Sequence, residues 1–329
     1  MHYVPAVFRS VFPPALNPLT PALCQVIKEV RPNVAISTDL TNCATVLSAL
    51  STRSASLVVW QESDRVSERP FFHQFQVLAM RYLARWLGSW GVRIVPRSKS
   101  AREFCFALGY PGHLVSLPIP TPVDTEVFRP EDQGFARRKL SLPEAKWILL
   151  CVSRLNYDKG LLFLLDAFQK LCQRTSNYML VIKGDGPWQA KLRYEIEHRG
   201  LEGTVELRTS WSPITDMRLW YSAATMSLVV TRGGIFPFTA LESLSCGCPV
   251  ISTFGRAMYD IIRYQTTGRI VETANPSLLA DAIDAYRRLL QDQGEIRERC
   301  RASIQEYASS AKVAGVLDAL VKEMCPLDD

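Results

Sequence analysis

Long apolar runs, a large charge imbalance and nucleic-acid-binding tracts are all missing from this sequence. No stretch approaches the roughly 20 uninterrupted apolar residues of a membrane-spanning helix, and the N-terminus has no charged segment followed by an apolar leader core. The net charge is +6, from 38 Lys and Arg against 32 Asp and Glu, without a basic tract. We therefore expect a cytoplasmic protein that binds no nucleic acid and has at most a peripheral contact with the cytoplasmic membrane face.

Histidine and cysteine are present but are not arranged to bind metal. The four histidines lie in separate segments, and the nine cysteines are odd in number and scattered in apolar segments, which favours buried, reduced thiols. Cys246 and Cys248 form a close pair but lack the second pair of ligands that a structural zinc site needs. We predict no metal site and no bound cofactor.

The sequence instead contains enough apolar residues, 47% of 329, for two domains with separate cores. Helix-like segments alternate with short β-branched runs in two series, as in parallel sheets with crossover helices. We predict buried strands over residues 34–37, 56–60, 92–95 and 113–117, and then over 147–152, 178–183, 204–207, 226–230, 250–252 and 269–271. The predicted fold class is α/β, with two Rossmann-like parallel-sheet domains.

The domain boundary is predicted from proline and charge. Residues 118–145 contain a Pro-Ile-Pro-Thr-Pro run, a charged stretch and a further proline, which is typical of a connection between domains. We predict an N-terminal domain over residues 1–128, a linker over 129–145, a C-terminal domain over 146–307 and a closing C-terminal helix over 308–329. Residues 276–291 and 295–320 have helical periodicity, charged faces and no strand signal, which predicts closing helices.

Two cations follow the first strand of the second series. Arg154 and Lys159 lie in the run Arg-Leu-Asn-Tyr-Asp-Lys-Gly between a buried strand and a helix. Both therefore lie at the carboxyl edge of the sheet, where open α/β sheets bind ligands. Two cations beside a helix N-terminus suit a diphosphate, because the charges, the free amides and the helix dipole all favour an anion. A solvated Arg and Lys flanking a turn would give the same pattern.

A Gly-Asp-Gly turn follows the next strand. Gly184 and Gly186, on either side of Asp185, permit the tight turn and close backbone approach that a bound nucleotide needs. Any strand-to-helix turn can use the same residues. The turn is not a full Gly-x-Gly-x-x-Gly, and no acidic residue is placed as that fingerprint demands. A dinucleotide-dependent oxidoreductase is therefore the weakest function considered.

A third turn leads into a helix near residue 237. It contains Gly234 and Phe236, and the free amides at Phe238 and Thr239 would face phosphate oxygens. Glu242 follows one turn later on a largely apolar helix, where a buried acid is costly unless it accepts hydrogen bonds. Sugar hydroxyls would supply them, and so would an ordinary structural donor.

The three turns together, in this order and spacing, resemble a known family. Arg-Leu-x-x-x-Lys-Gly, then Gly-Asp-Gly, then Leu-Glu-x-x-x-x-Gly-x-Pro-Val-Ile is similar to the retaining glycosyltransferases of family four, the group 1 enzymes of GT-B type. The resemblance extends upstream to residues 119–130 and downstream to Asp260 and residues 267–271. It is strongest over residues 149–271.

The resemblance implies a mechanism and roles for the residues. A nucleotide sugar would bind in a cleft between two Rossmann-like domains, held mainly by the C-terminal one and without a metal. Arg154 and Lys159 would neutralise the departing diphosphate, and the sugar would pass to a glycan or lipid-linked acceptor with its anomeric configuration retained. Glu242 would hold the ribose hydroxyls. The implied donor-binding set is Gly184, Asp185, Gly186, Gly234, Phe236, Phe238, Thr239 and Glu242.

Three departures from the family pattern bear on activity. The family commonly carries two glutamates separated by seven residues, and here the first position is Gly234. A His usual at the end of an N-domain strand is absent, and Gln61 or Glu62 would replace it on the acceptor side unless both are surface-loop residues. The family's first βα unit has no visible counterpart before the helix near residue 19. These departures motivate an alternative function, a non-catalytic nucleotide-sugar-binding or partner subunit of a glycosylation complex.

The segment over residues 71–90 is predicted to be an apolar, aromatic helix that carries Arg81 and Arg85. A basic helix of this kind can lie in a membrane interface, which would suit a lipid-linked acceptor. Core packing with one solvated edge explains the same pattern and is the interpretation favoured by the sequence.

Overall fold

The structure, a computed structural model, describes residues 22–52, 57–65, 73–231, 238–253, 255–272, 275–290 and 293–324. The chain forms two compact units. Unit 1 is Met1–Pro120 together with Val313–Asp329, and unit 2 is Thr121–Lys312. Within the described ranges, no helix has the length and apolar character needed to span a bilayer.

Unit 1 contains a three-stranded parallel sheet in the order β1-β2-β3. Its strands are β1 Ala35–Thr38, β2 Leu57–Gln61 and β3 Arg93–Pro96, and its helices are α1 Ala22–Val30, α2 Cys43–Ser51, α3 His73–Ser89 and α4 Lys99–Ala107. Two of these helices, α2 and α4, begin at side-chain caps. Asn42 accepts from the amide of Ala44 before α2, and Ser98 accepts from the amide of Ala101 before α4.

Both faces of this sheet are covered. Val59 and Ile94 pack on one side with buried residues of α2, α3 and α4. On the other side, Val58 and Val95 pack with Val313, at 2% exposure, on the C-terminal helix. The end of the chain therefore contributes to the core of the first unit, which explains why residues 313–329 belong to it.

Unit 2 contains a six-stranded parallel sheet in the order β6-β5-β4-β7-β8-β9. Its strands are β4 Trp147–Val152, β5 Tyr178–Lys183, β6 Val205–Arg208, β7 Met226–Val230, β8 Val250–Thr253 and β9 Gly268–Val271. Its helices are α5 Gln133–Lys139, α6 Leu161–Cys172, α7 Gln189–His198, α8 Ile214–Ala223, α9 Phe238–Ser245, α10 Met258–Ile261, α11 Pro276–Leu289 and α12 Gln293–Ala308. The last helix, α13 Ser310–Met324, begins in unit 2 and belongs to unit 1 from Val313 onward. The central strands are buried and mostly apolar, because helices cover both sheet faces.

The strand order has a functional consequence. Counted within unit 2, the strands lie in the order 3-2-1-4-5-6, the dinucleotide-fold arrangement in which the chain winds outward in both directions from a switch point. That point lies between β4 and β7, where Leu149 pairs with Met226 and Leu150 with Ser227. A crevice outside the carboxyl ends of these two strands is therefore expected to bind a ligand.

Three predicted elements differ from the structure. Residues 113–117 are not a strand. A 3-10 helix covers Gly112–Leu114, and Val115 makes an isolated bridge to Ile94. Ser116 and Ile119 donate their amides to Ile94 and Pro96, but Pro118 has no amide with which to continue a ladder.

The predicted linker over 129–145 contains α5, which packs against α8. Arg137 of α5 is buried and donates to the carbonyls of Ala223 and Glu144. The division between compact units falls at Pro120 and Thr121 instead. The helical segment expected over 295–320 is divided into two helices, because Ser309 forms a bridge to Val123 and separates α12 from α13.

Candidate functional site

A pocket of about 290 Å³ lies at the switch point of unit 2. The ends of β4 and β7 form its floor, and the loop after β4 and the start of α9 form its walls. The lining residues are Cys151, Val152, Ser153, Arg154, Lys159, Leu228, Val229, Val230, Thr231, Phe238 and Thr239. Most of this lining is apolar, and the two cationic side chains among the described lining residues come from a single loop.

Arg154 and Lys159 are thus brought to the same pocket wall. Arg154 is exposed, whereas the Lys159 side chain is 17% exposed and its Nζ lies 3.0 Å from Asp158 Oδ2. Lys159 ends a single 3-10 turn, and Gly160, with φ +63°, then starts α6 without a side-chain cap. The uncapped amides and dipole at this helix start add to the attraction for an anion.

The Gly-Asp-Gly turn supports the cationic loop from behind. A Cβ on Gly184 would lie 1.8 Å from the carbonyl oxygen of Ser153, and one on Gly186 would lie 2.5 Å from that of Leu155. The amide of Leu155 donates to Asp185 O at 2.8 Å. The close approach that these glycines permit is therefore to the chain's own backbone, and it fixes the loop that carries Arg154.

Helix α9 contributes Phe238 and Thr239 to the opposite wall. Residues 232–237 lie outside the described ranges, so the predictions for Gly234 and Phe236 fall on residues of which nothing is described. Glu242 follows Thr239 by three positions and Phe238 by four, which places all three on one side of the helix.

The Glu242 carboxylate is held by a buried tyrosine. Tyr221 Oη, on α8, donates to Glu242 Oε2 at 2.6 Å, and Tyr221 itself is fully buried. Burial raises the pKa of Glu242, and the hydrogen bond from Tyr221 partly opposes that rise. One carboxylate oxygen of Glu242 therefore accepts from a structural donor, which is one of the two alternatives that the sequence left open.

The carboxyl edge of the unit 1 sheet carries the two predicted acceptor-side residues. Gln61 is 1% exposed. Its side-chain oxygen accepts from Leu40 N and its side-chain nitrogen donates to Ser63 O, each at 2.9 Å. Glu62 is partly exposed and lies 2.8 Å from Arg97. Of the two, only Glu62 presents a functional group at the surface.

Glu62 belongs to a small charged cluster. Asp39, at φ +57°, accepts from the amides of Glu62 and Ser63 at 2.9 Å. Burial raises the pKa of Glu62 most, nearby Asp39 adds to the rise, and Arg97 opposes it. The Arg97 guanidinium also lies over the Trp60 ring, 5.1 Å from its centroid. Arg97 therefore contacts both the Glu62 carboxylate and the Trp60 ring.

Tyr221, Asp39 and Arg97 are not among the site residues predicted from the sequence. Asp39 and Arg97 each follow a predicted strand closely, so the carboxyl-edge rule applied to Arg154 would have found them. Tyr221 gives no local signal, because its partner is 21 residues away on another helix.

The cysteine pair is packed in the hydrophobic core of unit 2. Cys246 and Cys248 are both fully buried, and burial raises the pKa of Cys248 to about 11. In the part of the chain that the structure describes, no three His, Cys, Asp or Glu side chains are grouped so that they could hold a metal ion.

A known protein family matches more than half of this chain. The model of glycosyl transferases group 1 matches residues 132–307. The putative colanic acid biosynthesis glycosyltransferase WcaL of Escherichia coli is 24% identical over 197 residues, covering 56% of this chain and 48% of that protein. D-inositol 3-phosphate glycosyltransferase 1 of Catenulispora acidiphila is 27% identical over 208 residues, covering 60% and 49%. The chain thus spans about half the length of these relatives.

Solved structures agree on the fold. HepE of Anabaena, crystallised in complex with UDP, superposes with a TM-score of 0.78 at 17% identity, covering 92% of this chain and 82% of that one. At this identity the likeness shows the fold alone. Together with the two parallel sheets, it confirms the predicted class, two Rossmann-like domains of the GT-B type.

Proposed function

This chain belongs to the glycosyl transferases group 1, and from that premise we propose that it transfers a sugar from a nucleotide-diphosphate sugar to a glycan or lipid-linked acceptor. The proposed donor site is the unit 2 pocket between β4 and β7. Transfer would retain the anomeric configuration and need neither metal ion nor cofactor.

The observation that carries this proposal is the pairing of Arg154 and Lys159 on one wall of a pocket at the topological switch point. A diphosphate there would receive two charge-assisted contacts, and the start of α6 would favour its negative charge. These cations stabilise the leaving group, as a divalent cation does in other enzymes.

Lys159 must exchange one partner for another when the donor binds. Its present partner Asp158 is about half exposed, at 49%, and ion pairs with exposed partners contribute little, about 0–1 kcal/mol. A diphosphate carries more charge and would approach from the pocket side. Donor binding is therefore expected to displace Asp158 at small cost.

Glu242 is proposed to accept hydrogen bonds from the ribose hydroxyls of the donor. It lies on the same side of α9 as Thr239, which lines the pocket. The bond from Tyr221 fixes the carboxylate and favours its ionised form. An ionised, fixed acceptor suits a pair of hydroxyl donors.

The proposed transfer needs only the donor and the acceptor as reactants. The bond between the anomeric carbon and the diphosphate oxygen breaks, and both electrons go to the diphosphate. The acceptor hydroxyl oxygen bonds to the anomeric carbon on the same face, and its proton passes to the departing phosphate oxygen. Arg154 and Lys159 stabilise the charge that develops on that group.

A second candidate function is a non-catalytic nucleotide-sugar-binding or partner subunit of a glycosylation complex. The observation that favours it is the state of the acceptor-side residues, because Gln61 is buried with a hydrogen bond at both its amide oxygen and its amide nitrogen, and Glu62 is paired with Arg97. Gly234 in place of a carboxylate points the same way. This function predicts donor binding without turnover.

We place the proposed activity in the cytoplasm, with a peripheral contact at the membrane. The support is that eight cysteines in the described ranges are unpaired thiols, as expected in a reducing compartment.

Calorimetry with a panel of nucleotide sugars tests the donor site. Arg154→Ala and Lys159→Ala should each weaken the donor that binds by about ten- to a hundred-fold, the loss of one charge-assisted contact. Lys170→Ala is the matched control, because Lys170 is an exposed lysine in the last turn of α6, and it should leave the affinity unchanged. Equal affinities in all variants would refute the site.

Turnover separates the two candidate functions. Hydrolysis or transfer to an added acceptor, unchanged by EDTA, supports the metal-independent transferase. Tight binding without hydrolysis or transfer in the presence of candidate acceptors favours the non-catalytic subunit. Inversion of the product's anomeric configuration, measured by NMR, would contradict the retaining mechanism.

A further inference from the structure

Helix α3 of unit 1 is apolar on two opposite sides. Ala84 and Leu87 are completely buried against the sheet. On the other side, Phe75, Leu78 and Tyr82 are 72%, 67% and 76% exposed. Helices of soluble proteins normally turn a polar face to water, so the core packing that the sequence favoured accounts for only one side of α3.

The exposed side forms one continuous stripe. Phe75, Leu78 and Tyr82 are spaced three and four residues apart, which places them along one line of the helix surface. They span about 10 Å along the axis, and Ala79 is exposed beside them. Single exposed apolar residues are ordinary, but a contiguous row of large ones marks an interaction surface.

Positive charge lines the same surface. Arg81 and Arg85 are exposed, and neither forms an ion pair or hydrogen bond within the described ranges. Helix α3 itself contains no Asp or Glu and no other Lys or Arg. The apolar stripe is therefore flanked by a net positive charge.

From this combination we propose that the exposed face of α3 lies in the interface of an anionic lipid bilayer. The apolar stripe would enter the boundary between headgroups and acyl chains, and the two arginines would extend to the lipid phosphates. Tyr82, with an apolar ring and a polar hydroxyl, suits that boundary. The helix would lie in the membrane plane and not cross it.

Two other occupants fit the charges less well. A second copy packed on the same face would bring Arg81 and Arg85 against another stretch without acidic residues. Residues 1–21 of this chain are apolar enough to cover the stripe, but they carry one arginine and no acidic side chain. Anionic lipid satisfies both the apolar and the electrostatic requirement.

This inference deepens the membrane contact included in the proposed function, but its surface is separate from the donor pocket. The test is co-sedimentation of the full chain with vesicles of phosphatidylcholine alone, or of phosphatidylcholine mixed with phosphatidylglycerol. The variants are a triple change, Phe75→Ser, Leu78→Ser and Tyr82→Ser, and a double change, Arg81→Gln and Arg85→Gln. The matched control is Arg193→Gln with Tyr194→Ser, an exposed cation and an exposed aromatic residue on α7.

The wild-type chain should bind mixed vesicles more tightly than neutral ones. The triple change should weaken binding to both by at least about a hundred-fold. The double change should weaken binding to mixed vesicles about thirty-fold, roughly five-fold per arginine, and leave neutral vesicles unaffected. The α7 control should behave as wild type, and all variants should keep their nucleotide-sugar affinity, which separates this result from the test of the donor site.

Three results would overturn the proposal. The first is a wild-type chain that stays in solution, or a triple variant that binds vesicles like wild type. The second is a wild-type dimer in sedimentation velocity that the triple change dissociates without altering vesicle binding, which would assign the face to a second copy. The third is a lower melting temperature in the triple variant with unchanged vesicle binding, which would assign it to another segment of this chain.

Discussion

Replacing Gly184 by alanine is expected to displace the loop that carries Arg154. The added Cβ would lie 1.8 Å from the carbonyl oxygen and 2.9 Å from the carbonyl carbon of Ser153. Both are backbone atoms, so no side-chain rotation relieves the overlap. Separation to at least 3.0 Å is needed, and the φ of +156° is itself unfavourable for an L side chain.

The expected cost has two parts. Overpacking against rigid neighbours costs about 1–3 kcal/mol, and an unfavourable backbone conformation costs about 1–3 kcal/mol, so unfolding should become easier by about 2–6 kcal/mol in total. Gly203→Ala separates the two parts. Gly203 has a positive φ of +77° but nothing within 4 Å of the added Cβ, so this control should show the backbone part alone.

Urea denaturation of both variants measures the free energy of unfolding, and calorimetry measures donor affinity. Gly184→Ala should be destabilised by at least about 1 kcal/mol more than Gly203→Ala, and it should also bind the donor less tightly because Arg154 moves. If the two variants are equally stable, the packing of Gly184 on Ser153 does not exist in solution. If Gly184→Ala loses stability but binds the donor normally, the turn does not position the cations.

Three further predictions concern buried groups. Tyr221→Phe removes the hydrogen bond that opposes the rise in the pKa of Glu242, so that pKa should rise further. If donor binding requires the ionised carboxylate, affinity should be lost at a higher pH in this variant than in wild type as the pH is lowered. Calorimetry across a pH series measures this. Arg137→Ala leaves the Ala223 carbonyl without its donor and should cost about 2–4 kcal/mol in urea denaturation, whereas the exposed neighbouring variant Arg138→Ala should change stability by less than about 0.5 kcal/mol. Burial raises the pKa of Cys151 to about 12, so mass spectrometry should find it unmodified by iodoacetamide at neutral pH in the folded protein and modified in urea.

Much of unit 2 could be predicted from the sequence. The bounds of β4, β5 and β7 agree with the predicted segments residue for residue. These strands are buried on both faces, so their apolar runs are continuous and end abruptly at polar loops. The edge strand β6 is shifted by one residue from its prediction, because an edge strand has a weaker apolar signal.

What could not be predicted depends on contacts between distant segments. The break at Ser309 requires Val123, and the helix over Gln133–Lys139 requires the buried partners of Arg137 on α8. The bond between Tyr221 and Glu242 joins two helices. Local periodicity contains no information about which residue of another element lies opposite, so these features emerge only in the folded chain.

The Gly-Asp-Gly turn acts on the loop behind it and not directly on a ligand. A glycine in a sequence signals that some group approaches the backbone closely, and that group can be a ligand or the chain itself. At Gly184 and Gly186 it is the chain, through Ser153 and Leu155. The motif therefore supports donor binding indirectly, by fixing the loop from which Arg154 reaches the pocket. The strand order places that loop at the switch point between β4 and β7, where a crevice and two cations coincide.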